Sequence, residues 1–231
     1  MKRVVVGRPD GIGNRLEEVA NIVAHSTAQH KPPIYIWNMS RNLNRNYLPR
    51  FAAPVRVIPA IFPLRATYRL RPLANPEKFL HAAREIRVRA KAYESHEAVV
   101  HIRTTDRISR EPSRLNADQF MSPTQSSEIL ERCLSLCRAS FRSVRLLGDH
   151  FKATEAFKKK LVESGVRVDC QNSSAWEDFA TLASAPVVVM AAKFSSFSLM
   201  AAAIGGGDLY APCETMAGDL RRYGFLSCYR F

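Results

Sequence analysis

Residues 99–107 read VVHIRTTDR, an apolar run that delivers Arg103, Asp106 and Arg107 in quick succession. A planar guanidinium at the end of a buried strand can grip two phosphate oxygens at once. Open α/β folds bind ligands beyond the carboxyl ends of their strands, where such an arginine would emerge. A plain salt bridge between Arg103 and Asp106 uses the same residues, and spacing leaves both readings open. Two other stretches offer anion chemistry. In GRPDGIGNRL (7–16), Gly11 and Gly13 permit tight turning and close backbone approach, and the next helix would present its N-terminal amides. In KFSSFS (193–198), Ser195, Ser196 and Ser198 either cap a helix or meet a nucleotide at its positive end.

Several chemistries are disfavoured. As a dinucleotide fingerprint the glycine turn has Leu16 where a third glycine belongs, and the next strand ends in Trp37-Asn38 without a ribose-binding acid. The five cysteines are odd in number and form no C-x-x-C pair, which speaks against a disulfide framework and for a reduced, cytoplasmic setting. Cys133 and Cys137 lie four apart on an expected helix, but no matching ligand pair occurs elsewhere, so buried thiols are expected rather than a metal site.

The elements that must carry these residues follow from periodicity. KRVVVG reads as a strand rather than an export signal, followed by the glycine turn and a helix with Leu16, Val19, Ala20 and Val23 on one face. PPIYIWN is a second strand. Residues 40–68 read as loops, with VRVIPAIF as a strand within them. Pro76–Glu94 reads as one basic amphipathic helix with Phe79, Ala82, Ala83, Ile86, Ala90 and Tyr93 inward; it would pack on its own sheet or lie on a membrane surface. From residue 95 onward, strands (EAVVHIR, SVRLLGD, VRVD, PVVVMAA, DLYAP) alternate with helices, which implies a wound parallel sheet. The apolar stretch 185–206 is broken by Lys193 and three serines, short of the about 18 to 20 residues a bilayer helix needs.

Charge is uneven. The chain of 231 residues carries a net +13, yet residues 1–94 hold 17 Lys and Arg against 6 Asp and Glu, and the remainder is near balance. The first part therefore expects an anionic partner: nucleic acid, an acidic lipid surface, or an acidic or phosphorylated substrate. Tyr47, Phe51, Phe62 and Tyr68 interleave with its arginines, the pattern of a nucleic-acid binder.

The ordered set of GIGNRL, H-I-R-x-T-D-R-x-x-x-E at 101–111, LLGD at 146–149, and DFATLASA followed by FSSFS resembles the GDP-fucose-dependent α1,6/α1,2-fucosyltransferase superfamily, which includes nodulation fucosyltransferases. The resemblance implies two Rossmann-like α/β domains in a GT-B-like arrangement, a short acceptor-side domain at 1–94 and a nucleotide-sugar domain at 95–231. It implies inverting transfer from a GDP-sugar to a glycan or glycolipid hydroxyl, without cofactor or metal, by an enzyme in the cytoplasm or peripheral to a membrane. Arg103 would hold the donor diphosphate, supported by His101, with Asp106 and Arg107 beside it and Glu111 as general base. Gly11, Gly13 and Asn14 would form the donor-side turn. Asp149 ends a strand of the nucleotide domain, and Asp178, Ser195 and Ser196 fall near the nucleotide, Asp178 and Ser196 near guanine. The family's second consecutive arginine is Thr104 here, and Arg15, Arg107 or Lys193 would have to replace its charge. An inactive sugar-nucleotide-binding protein is the alternative to a transferase, and a nucleic-acid-binding protein a further one.

Overall fold

The computed structural model describes residues 4–8, 10–26, 32–39, 48–60, 64–67, 75–89, 96–103, 121–148, 151–170, 173–225 and 228–231. Thr104, Asp106, Arg107, Glu111 and Asp149 lie outside them, as does the expected boundary near Ser95.

The first part is built from β1 (Val4–Val6), α1 (Ile12–His25), β2 (Ile34–Asn38), β3 (Phe51–Ala52), β4 (Arg56–Ala60), α2 (Pro76–Arg84) and β5 (Arg87–Val88). Strands β1, β2 and β4 form a parallel sheet in that order. Pro59 sits in β4, an edge strand, where its missing N–H breaks no interior ladder. β3 and β5 form a separate antiparallel pair.

The second part continues as β6 (Ala98–Ile102), α3 (Pro123–Ser140), β7 (Ser143–Gly148), α4 (Phe151–Val162), β8 (Arg167–Cys170), α5 (Ala175–Ser184), β9 (Val187–Ala191), α6 (Ser196–Gly205), β10 (Asp208–Ala211), α7 (Ala217–Arg222) and β11 (Tyr229–Arg230). Local chemistry sets these helix starts. Ser122 with Gln125 and Ser174 with Glu177 form reciprocal capping boxes on α3 and α5. Gly206, at φ 75°, ends α6 in a left-handed cap that other residues adopt at a cost.

All six strands of this sheet run parallel in the order β11-β10-β9-β6-β7-β8. From β6 the chain steps outward to β7 and β8, then returns to β9 on the other side of β6. The order reverses between β6 and β9, the switch point at which doubly wound sheets open a crevice at their carboxyl edge.

Alternation along the strands divides two cores. Ala98, Val100, Ile102, Val144, Leu146, Val189 and Ala191 face Cys133, Leu134 and Cys137 of α3 and Phe157 and Leu161 of α4. Val99, Leu147, Val188 and Met190 face the other way, into a cluster that also contains Leu16 and Val19 of α1, Trp37, Phe51, Phe79, and Phe179 and Leu199 of α5 and α6. That cluster joins residues from both sides of Ser95. Trp176 of α5 lies 5.9 Å from Trp37 and 6.0 Å from Phe51, and Tyr223 donates to the buried Glu17 carboxylate at 2.6 Å.

Three expectations change. The helix from Pro76 stops at Arg84: Glu85 N and Ile86 N bond to Ala82 and Ala83 carbonyls in tightened i+3 turns, Ile86 buries itself, and the chain leaves as β5, with Ala90 and Tyr93 outside the described residues. Its apolar face of Phe79, Ala82 and Ala83 is buried where α2 packs on α1 and α6, so that face is not offered to a bilayer. Phe51 is 6% exposed between Trp37 and Trp176, which removes it as a base-stacking residue; Tyr47, Phe62 and Tyr68 lie outside the described residues. Among the described residues no helix is long and apolar enough to cross a membrane.

Candidate functional site

The switch point gathers two of the three stretches directly. His101 pairs in register with Met190 and Ile102 with Ala191, so Arg103 emerges half-buried at the carboxyl edge beside the turn that leads from β9 into α6. Strand alternation turns His101, 8% exposed, toward α6. There its Nδ1 lies 2.7 Å from Ser198 Oγ, and its ring stands 5.3 Å from Phe197. Ser195 Oγ accepts from Ser198 N at 3.3 Å and caps α6, so one of the three serines has the structural role its position allowed. Ser196 is buried in the first turn.

The glycine turn meets the same place from the other part of the chain. A Cβ on Gly13 would lie 2.5 Å from the Ser196 carbonyl and 2.6 Å from Phe197 N, so the first turns of α1 and α6 abut where only hydrogen fits. Gly11 is the N-cap of α1 and lends no capping side chain. Asp10 accepts from Gly11 N at 2.8 Å and from Asn14 Nδ2 at 2.7 Å, bracing the turn without capping the helix. Two positive helix ends therefore converge at one edge, an arrangement that favours an anion.

A carboxylate the sequence did not single out holds this turn. Glu18, fully buried in α1, accepts from Tyr35 Oη at 2.6 Å, Arg8 Nε at 2.5 Å and Arg8 N at 3.2 Å. A Cβ on Gly7 would strike Tyr35 Oη at 2.0 Å. Burial raises the Glu18 carboxyl above its ordinary range against the pull of Tyr35 and Arg8. The signal was a charged pair, Glu17-Glu18, inside an otherwise amphipathic helix, which periodicity assigns to solvent.

Other site residues are more dispersed. Arg15, in the first turn of α1, is 1% exposed, donating from Nη1 to the Asn38 carbonyl at 3.2 Å and lying 4.4 Å over the Trp37 ring. Lys193 is half-buried on the β9–α6 turn, where its N–H points at Met121 Sδ. Asp178, in the first turn of α5 beyond β8, accepts from Ser173 Oγ; burial raises its carboxyl and that hydrogen bond lowers it. Along the carboxyl edge the order is Asp178 beyond β8, Phe151 beyond β7, Arg103 after β6, then Ser195 and Ser196 after β9. Asp178 and Ser196 thus stand on opposite sides of Arg103. Among the described residues, cavities lie elsewhere as well, one of about 330 Å³ between α1 and α2 and one of about 460 Å³ by the amino end of β10.

No family model and no curated protein matches the chain. Among solved structures it is similar to POFUT1 in complex with GDP-fucose, with 15% identity over 67% of this chain and 51% of that one and a TM-score of 0.43. It is also similar to POFUT1 in its apo form, with 12% identity over 67% and 52% of the two chains and a TM-score of 0.41. The chain spans about half the length of the solved structures it matches.

Proposed function

We propose that the protein is a glycosyltransferase of the fucosyltransferase type that uses a GDP-sugar, GDP-fucose first among them. The observation that carries this reading is the placement of Arg103 at the switch point, with the His101–Ser198 pair beneath it and Gly13 closed against Ser196. Arg103 and the paired helix ends offer fixed positive charge to a diphosphate, and the turn of Gly11, Gly13 and Asn14 lets the backbone approach it.

In this reading an acceptor hydroxyl oxygen bonds to the anomeric carbon while the bond from that carbon to the β-phosphate oxygen breaks. Glu111 takes the hydroxyl proton, GDP leaves with the bonding electron pair, and configuration inverts. Asp106, Arg107 and Asp149 border the donor. Asp178 accepts N–H donors from guanine, and the surplus positive charge of residues 1–94 draws an acidic glycan or glycolipid acceptor. No metal is required, so EDTA leaves transfer unchanged.

The test is release of GDP from GDP-fucose with a panel of glycan and glycolipid acceptors, comparing wild type with Glu111→Gln. Transfer that falls at least about 100-fold in the variant supports the reading; equal turnover by both overturns this assignment. A second reading, a sugar-nucleotide binder without turnover, is favoured by Thr104 in the second-arginine position. It expects GDP binding with no acceptor-dependent release of GDP.

A further inference from the structure

Strands β3 and β5 form an antiparallel ribbon in which Phe51 pairs with Val88 and Ala52 with Arg87. Arg89 N donates to the Arg50 carbonyl at 2.6 Å and extends the pairing by one step. Successive side chains on a strand point to opposite faces. Phe51, 6% exposed, and the half-buried Val88 therefore share the inner face and join the core. Arg50, Arg87 and Arg89, all exposed, share the outer face with Ala52.

Nothing in the described fold compensates the charge on that outer face. Arg50 and Arg89 stand directly opposite one another, where Cβ atoms lie about 4.5–5.5 Å apart and like charges oppose pairing. Arg87 Nη1 donates to the Arg84 carbonyl, and none of the three arginines makes an ion pair among the described residues. Carboxylates of the first part are engaged elsewhere: Glu17 with Tyr223 and Arg222, Glu18 with Tyr35 and Arg8, and Glu85 with His81. The surplus charge of residues 1–94 is thus concentrated in part on one short face. The fold gains nothing from it there, whereas a bound anion would.

The ribbon also stands beside the candidate site. The Phe51 ring on its inner face lies 5.3 Å from Trp37, near the carboxyl end of β2, and 6.0 Å from Trp176, in the same first turn of α5 that carries Asp178. The outer face discriminates between anionic partners. It has no exposed aromatic ring on which a base could stack, because Phe51 points inward. Its one apolar side chain is Ala52, too small to insert into a bilayer. What it offers is planar guanidinium groups, which pair bidentately with carboxylate, sulfate or phosphate.

We propose that the outer face of the β3–β5 ribbon, through Arg50, Arg87 and Arg89, binds the acid groups of an acidic oligosaccharide that serves as the acceptor. The inference rests on the transferase reading above and gives its acceptor a chemical class and a place.

The experiment is calorimetric titration of a heparin-derived hexasaccharide, and separately of GDP, into the wild type, the combined variant Arg50→Ser/Arg87→Ser/Arg89→Ser, and Arg50→Ser alone. Thermal melts of all three and titration of uncharged maltohexaose are the controls. The wild type should bind the sulfated sugar and not maltohexaose. The combined variant should lose at least about 10-fold of that affinity, with GDP affinity and melting unchanged. Arg50→Ser should lose part of it, which keeps the test sound if the combined variant folds poorly. Equal binding of the sulfated sugar by wild type and variants, or a parallel loss of GDP affinity, would overturn the proposal. So would tighter binding, through the same arginines, of phosphatidylserine vesicles or of a DNA hexanucleotide, which would assign the face to a membrane or to nucleic acid. Each of these failures with GDP still bound by the wild type leaves the transferase reading standing. A wild type that does not bind GDP removes that reading and the acceptor assignment with it.

Discussion

Glu18 contributes through three hydrogen bonds that tie α1 to the turn ahead of it and to β2. Its raised carboxyl means that the folded chain binds a proton more readily than the unfolded chain does. The stability this gives is full below the ordinary carboxylate range and is lost as pH rises through the raised value. Glu18→Gln removes that titration. Urea denaturation at a series of pH values should show the wild type losing stability across this window and the variant losing less; parallel curves would contradict the assignment. Tyr35→Phe removes one donor from the buried carboxylate and should cost about 1–3 kcal/mol, read from the same denaturation curves. The sequence marks Arg103 and the glycines by type and spacing, and His101 through the family resemblance, but Glu18 and Tyr35 become neighbours only through a contact 17 residues apart in the chain. The sequence also does not show that Arg15 is buried, with its Nη1 on the Asn38 carbonyl and its guanidinium over the Trp37 ring.

At the level of elements, the contact between α1 and α6 is the most sensitive point. Gly13→Ala places a methyl group against Ser196 backbone, which has no flexible end to yield, and should destabilise the fold by about 1–3 kcal/mol. The same substitution should weaken GDP binding by prising the two helix ends apart. An alanine variant with wild-type stability and affinity would contradict the close approach. The alternating strands and helices of 95–231 were legible because several strands are apolar runs bounded by turns, as in EAVVHIR and PVVVMAA, and the helices between them show apolar residues at helical spacing. The end of α2 was not, because the apolar periodicity continues through Ile86 while the backbone tightens and departs as β5. β3, β5, α7 and β11 escaped for a related reason. They are short, two residues in each strand, and form only where a distant partner is present.

Across the whole molecule, a single apolar cluster joins the glycine-turn part to the part beyond Ser95, and Glu17 bridges them again through Tyr223 and Arg222. Two parts so joined should unfold together, giving one calorimetric transition whose van't Hoff and calorimetric enthalpies agree. Two resolved transitions would show that the shared cluster does not couple them. The coupling matters for the site, because Gly13 comes from one part and Ser196, His101 and Arg103 from the other. The central claim is that these residues form a nucleotide-diphosphate site, and it is tested most directly by calorimetric titration of GDP, with ADP and UDP as controls, into the wild type and Arg103→Ala. Selective binding of GDP that is lost in the variant is the predicted result. Absence of GDP binding to the wild type, or equal binding to the variant, would contradict it.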